Sequence, residues 1–122
     1  MAKKILIIDD EQDFVETLSF YLRDNGFEVF DAANGTIGIE KAQAEKPDLI
    51  ILDLMMPDID GYEAAKRLKV DNVTVNIPII VFTASITPDL KEKIKQIQVV
   101  DYVVKPCDLE ELVDKIKKIL EG

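Results

Sequence analysis

A chain of 122 residues with 24 acids, 15 bases and no histidine carries a net charge of −9, which argues against direct binding to nucleic acid, because phosphate contacts need a basic footprint. The missing histidines exclude a histidine zinc site, a Ser-His-Asp triad and a histidine phosphocarrier. A single cysteine, Cys107, excludes an internal disulfide and fits a reducing cytosol, and no apolar run approaches the length that spans a bilayer.

The length is that of one domain with a real core, and the N-terminus has no signal-peptide pattern: Lys3 and Lys4 lead into only four apolar residues before Asp9 and Asp10. Residues 4–8 form the first apolar run, a strand. Phe14, Leu18, Tyr21 and Leu22 then share one helical face, and Asn25-Gly26 stops that helix. Residues 27–30 predict a short second strand. Asn34-Gly35 turns the chain into a weaker helix over about 36–44, ended before Pro47. The run Leu49, Ile50, Ile51, Leu52 predicts a third strand buried on both faces, closed by Asp53 and followed by a helix around Tyr62, Ala65 and Leu68. Residues 77–82 are another buried run, and Thr87-Pro88 predicts an N-cap with proline at the first helical position. Leu90, Ile94 and Ile97 form the inner face of that helix, residues 102–104 a last short strand, and Asp108 with Glu111 a capping box for a helix facing inward through Leu109, Leu112, Val113, Ile116 and Leu120.

Five strands alternating with five helices predict an α/β fold, a doubly wound parallel sheet covered on both sides. Such sheets bind ligands beyond the carboxyl ends of their strands. There the sequence puts Asp9, Asp10 and Glu11 after the first strand, Asp53 after the third, Thr83 after the fourth and Lys105 after the fifth. Crowded acids repel unless a cation joins them, and a magnesium ion takes one or two protein carboxylates together with phosphate oxygens. Beside such a site an aspartate can attack phosphorus, with Lys105 and the Thr83 hydroxyl stabilising the transferred group. Asp53 is the best placed nucleophile because its strand is central. Each residue also has an ordinary use: Asp53 as a cap, the acidic triplet as a helix N-terminus, Thr83 as a turn residue, Lys105 as a solvated charge. Their gathering at four strand ends favours a site.

The segments "ILIIDDE", "DLIILDLMMPDIDG", "PIIVFTA" and "DYVVKP", in this order and spacing, resemble the receiver domain of two-component response regulators, of the CheY-like single-domain kind, over essentially the whole chain. The resemblance implies a flavodoxin-like (βα)5 fold with the strand order 2-1-3-4-5 of flavodoxin and the chemotaxis receiver. It implies Asp53 as phosphoryl acceptor, with Mg2+ (or Mn2+) held by Asp9, Asp10, Asp53 and the backbone carbonyl of Met55. It further implies Lys105 as partner of the phosphoryl group, a cis Lys105-Pro106 bond, and Thr83 and Tyr102 as the switch pair. The readout face would span the fourth helix, fifth strand and fifth helix, residues 87–120. The resemblance implies that such a chain catalyses its own phosphoryl transfer to Asp53 and its own dephosphorylation, as a signalling switch rather than a turnover enzyme. Its partners would be a histidine kinase or histidine phosphotransfer protein and a downstream protein target, with no direct nucleic acid contact or membrane insertion. It would be a cytoplasmic monomer or phosphorylation-dependent dimer, one receiver domain over 1–122 with no output domain.

Two local departures stand out. Receivers often carry Gly-Ala where this chain has Val99-Val100, which predicts a rebuilt or strained turn before the last strand. Cys107 replaces a common phenylalanine and is expected to act as a small apolar filler. Three other functions compete. A flavodoxin-like cofactor binder wants a Ser/Thr/Gly-rich phosphate loop where this chain has Asp9-Asp10-Glu11. A haloacid-dehalogenase-type phosphatase wants a second acid at the position of Met55. A docking module that kept the fold without the phosphorylation would have no use for the acid cluster.

Overall fold

The computed structural model describes residues 2–55, 61–84 and 86–121; residues 56–60 of the quoted "DLIILDLMMPDIDG" stretch lie outside them. The elements alternate as β1 (Lys4–Ile8), α1 (Gln12–Asp24), β2 (Glu28–Ala32), α2 (Gly35–Glu45), β3 (Leu49–Asp53), α3 (Gly61–Val70), β4 (Ile79–Thr83), α4 (Pro88–Gln96), β5 (Asp101–Val104) and α5 (Leu109–Glu121). All strand pairings are parallel, and the sheet runs β2-β1-β3-β4-β5. The expected doubly wound 2-1-3-4-5 architecture is therefore present.

The strand sequences lack polar alternation because both faces of the sheet are covered. Successive side chains point to opposite faces, and the buried residues divide accordingly. Leu6, Ile8, Ile50, Leu52, Ile79 and Val81 pack with Ala64, Ala65, Leu68 and Ile94 on the side of α2, α3 and α4. Ile5, Ile7, Leu49, Ile51, Ile80 and Phe82 pack with Val15, Leu18, Leu22, Leu112, Val113 and Ile116 on the side of α1 and α5. Each fully buried Ile, Leu or Phe contributes roughly 1.5–3 kcal/mol, so the central strands are held from two sides at once.

Helix ends follow local chemistry. The Asn34 side chain accepts from Ile37 N at 2.9 Å, Thr87 Oγ1 from Leu90 N at 3.1 Å, and Asp108 Oδ1 from Glu110 N at 2.9 Å. Gly26 ends the α1 region at φ 90°, a backbone state that glycine reaches without a Cβ clash.

Several boundaries differ from the sequence expectation, each for a physical reason. β2 starts at Glu28 because Phe27 N is used by Leu22 O, 3.0 Å away, in the turn after α1. β4 starts at Ile79 because Pro78 has no N–H and Ile77 N is bound to Thr74 O at 3.0 Å. The buried face of α1 is Val15, Leu18, Ser19 and Leu22: Leu18 and Leu22 are as expected and Phe14 packs half-buried on the same core, whereas Tyr21 is 38% exposed. In the turn before β5 the left-handed residue is Gln98, φ 56°, and Val100 N donates to Ile79 O at 2.9 Å. The two β-branched residues thereby avoid the left-handed region that suits them least. Cys107 packs at the edge of the α1/α5 core, and burial raises its thiol pKa, which fits the filler role.

Two glycines mark where helices meet the sheet too closely for a side chain. A Cβ on Gly38 would come within 2.6–2.8 Å of the Ile8 side chain, whereas one on Gly61 would collide with backbone, Asp53 O and Leu54 Cα. Gly38→Ala should cost about 1–3 kcal/mol in urea unfolding, and Gly61→Ala more, because a side chain can yield and this backbone cannot. Equal small losses would show that the α3 start is free to shift.

Candidate functional site

The sheet brings the predicted polar residues to one rim. Ile8 pairs with Leu52 in adjacent parallel strands, so the residues that follow, Asp9 and Asp53, leave β1 and β3 side by side. Asp9 is anchored by its own N–H to Ala32 O at 3.0 Å. Lys105 N donates to Thr83 O at 2.8 Å, tying the residue after β5 to the end of β4. Asp9, Asp53 and Thr83 are buried, whereas Asp10 is exposed.

Carboxylate oxygens of Asp9, Asp10 and Asp53 lie within 4.8 Å of one another. Lys105 Nζ is the cation among them. It donates to Asp9 Oδ2 at 2.8 Å and Glu11 Oε1 at 2.9 Å, and stands 3.7 Å from Asp53 Oδ2. It thus bonds to Asp9 and Glu11 and only attracts Asp53. Each acid also accepts a backbone proton two residues on: Glu11 N reaches Asp9 Oδ1 at 2.9 Å, and Met55 N reaches Asp53 Oδ1 at 3.0 Å. These turns fix which oxygens remain free.

The electrostatics follow from the crowding. Burial pushes the Asp53 carboxyl up from an ordinary 3.8 to about 6, and the Asp9 charge adds to this, while the Met55 N–H and Lys105 oppose it. Burial alone would lower Lys105, but its bonds to Asp9 and Glu11 outweigh that and hold its pKa above the usual lysine value. The ammonium also lies 4.4 Å from the centroid of the Phe14 ring, which in turn packs on Phe82 at 5.5 Å.

A hard divalent cation fits this donor set. The three acids offer only oxygen ligands, and two of them are buried close together with Lys105 as their one neighbouring cation among the described residues. Asp9, Asp10 and Asp53 are the residues that would hold it, and Met55 follows directly on the same rim.

All the site residues expected from sequence, Asp9, Asp10, Asp53, Met55, Thr83 and Lys105, lie on or beside this rim. Tyr102 sits one strand out, half-buried against the α2/α3/α4 core. The Lys105-Pro106 bond is cis, as expected. Two contributors escaped the sequence reading in their role here. Glu11 was grouped with its acidic neighbours, but it is a direct partner of Lys105. Phe14 was taken for plain core, though it lies one helical turn after Glu11 and so comes under the same lysine.

The chain matches the family model for the response regulator receiver domain over residues 5–117. It is 36% identical over 120 residues to the sporulation initiation phosphotransferase F of Bacillus subtilis, covering 98% of this chain and 95% of that protein. It is 38% identical to the alkaline phosphatase synthesis transcriptional regulatory protein PhoP of the same species, again over 98% of this chain but 49% of that one. It therefore spans about half the length of such transcriptional regulators and nearly all of the phosphotransferase. Among solved structures, the chemotaxis protein CheY4 of Vibrio cholerae superposes with a TM-score of 0.92 at 30% identity, covering 98% of this chain and 99% of that one. With the sheet order, the carboxylate rim and these matches together, the chain belongs to the response regulator receiver domains of two-component systems.

Proposed function

We propose that this receiver takes a phosphoryl group onto Asp53 from a phosphohistidine on a histidine kinase or histidine phosphotransfer protein, and that the modification changes what its α4–β5–α5 face binds. The observation that carries this reading is the Asp53 carboxylate itself: buried at the end of the central strand, one oxygen accepting from Met55 N and the other 3.7 Å from Lys105 Nζ.

In the reaction, Asp53 Oδ2 attacks phosphorus, the donor's N–P bond breaks, and the departing imidazole takes up a proton. The phosphohistidine belongs to the partner, since this chain has no histidine. A magnesium or manganese ion held by Asp9, Asp10, Asp53 and the Met55 carbonyl would supply charge neutralisation for the phosphoryl oxygens. Lys105 already lies between Asp9 and Asp53 and has only to exchange a carboxylate for a phosphoryl oxygen. The Thr83 hydroxyl, at the end of the next strand, moves toward another. Tyr102, which pairs with Val81 two residues before Thr83 on the adjacent strand, follows Thr83 inward. This is a shift between two populations of one fold. Readout falls on residues 87–120, by a downstream protein or by a second copy of the chain in a phosphorylation-dependent dimer, with the unmodified form monomeric. No helix among the described residues is long and apolar enough to cross a membrane; together with the free Cys107, this supports a cytoplasmic setting.

Incubation with acetyl phosphate and magnesium should add one phosphoryl group to the intact mass, and chelator or Asp53→Asn should abolish the gain. Uptake that persists in Asp53→Asn would overturn the assignment. Lys105→Ala should bind magnesium yet slow phosphoryl uptake by about tenfold or more, as loss of a transition-state charge contact does.

The raised Asp53 pKa has a stability consequence in metal-free protein. A carboxyl held at about 6 in the fold rather than 3.8 contributes stability that is fully present below about pH 4 and is lost as pH rises through 6. The displacement corresponds to roughly 3 kcal/mol at most. In chelator near neutral pH, Asp53→Asn should therefore unfold at higher urea than the parent chain, with the gain disappearing near pH 4. Magnesium should close the gap by stabilising the parent alone.

A further inference from the structure

Helices α3 and α4 concentrate positive charge in an acidic chain. They hold six of its 15 bases, Lys66, Arg67, Lys69, Lys91, Lys93 and Lys95, against three acids, Glu63, Asp89 and Glu92. The two helices thus stand at +3, which leaves −12 for the remainder of a −9 chain. Arg67 is paired with Glu63 at 3.3 Å, Lys93 with Asp89 at 3.6 Å, and Lys69 donates to Ile77 O at 3.0 Å. Lys66, Lys91 and Lys95 make no ion pair among the described residues.

The charge surrounds an apolar groove. Lys66 and Lys93 approach the Tyr62 ring from two different helices, 5.7 and 5.8 Å from its centroid. Beside the ring lies a groove of about 440 Å³ lined by Tyr62, Val70 and Ile97 together with the polar Lys66, Lys69, Gln96 and Gln98. Val70 is 81% exposed, while Ile97 is buried. Gln98 closes one end in the left-handed conformation, which a residue with a side chain keeps only where its surroundings hold it.

We infer that this α3–α4 groove docks an acidic, amphipathic helical segment of a partner protein. Its apolar stripe lies against Tyr62, Val70 and Ile97, and its carboxylates face Lys66 and Lys93. Helix-in-groove recognition needs this combination of an apolar trough and flanking charge, and complementary charge steers the encounter and sets its register. Nucleic acid suits the site less, because the −12 charge of the rest of the molecule repels a phosphate backbone. Ile97 and Gln98 of the groove, and Lys93 beside it, fall within residues 87–120, so the groove borders the proposed readout face, while Tyr62, Lys66, Lys69 and Val70 of α3 lie outside it. It does not depend on phosphoryl transfer, so its failure would leave that reading untouched.

The test titrates the unphosphorylated, 15N-labelled chain with a synthetic helical peptide carrying leucine at i, i+3, i+4 spacing and glutamate elsewhere. Controls are the same peptide with lysine for glutamate, and oligothymidylate. The expected result is amide shifts confined to α3, α4 and the Gln98 turn, absent with the lysine peptide. Affinity should fall about tenfold in the double variant Lys66→Glu/Lys93→Glu and also at high salt. Val70→Glu, at a fully solvated position, gives a second variant should the double one fold poorly. No shift, shifts centred elsewhere, or an equal response to oligothymidylate on the same amides would each overturn the inference.

Discussion

The register between β1 and β3 is the constraint on which the rest of this molecule depends. Ile8 opposite Leu52 makes Asp9 and Asp53 neighbours, and neither strand can slide to relieve their repulsion. A slip of one residue would turn every buried side chain of a strand to the opposite face, and here both faces are packed core. Free energy from burying isoleucine and leucine is thus held as electrostatic tension between two carboxylates. Burial at that fixed position is the main reason the Asp53 pKa is raised, and the Asp9 charge adds to it.

Lys105 relieves the tension asymmetrically. Its backbone is bound to Thr83 and its side chain reaches across two strands to Asp9, so the ends of β1, β4 and β5 are linked through one residue. Hydrogen bonds to Asp9 and Glu11, with only a looser approach to Asp53, leave the central carboxylate as the member of the cluster with most to gain from a new partner. Phe14 fixes the lysine from beneath, since an aromatic face attracts the ammonium without competing for its protons.

Much of this was legible in the sequence, because it was carried by residue order along single segments. Continuous apolar runs ending in Asp53 and Thr83 marked the buried strands, and Asn34, Thr87 and Asp108 marked helix starts through their own side-chain chemistry. What stayed hidden depended on contacts between segments. The Val15 stripe of α1 and the Tyr21 stripe share Leu18 and Leu22, so periodicity alone could not decide between them; packing against Ile5, Ile7 and Phe82 did. Glu11's bond to Lys105 joins residues 94 positions apart. No local pattern encodes such a pair. The placing of the left-handed residue at Gln98 in the turn before β5 likewise depends on a contact between segments, the hydrogen bond from Val100 N to Ile79 O.

The two cores have no side-chain boundary with one another; they meet only through the backbone of the sheet. A parallel sheet buried on both faces therefore acts as a partition wall. Volume changes in the α2/α3/α4 layer reach the α1/α5 layer only by bending hydrogen-bonded strands, which resist, so each side is open to separate repacking over evolutionary time. The carboxylate rim sits on the open edge of that wall and belongs to neither compartment. It is the one place where a small change of charge is felt by both.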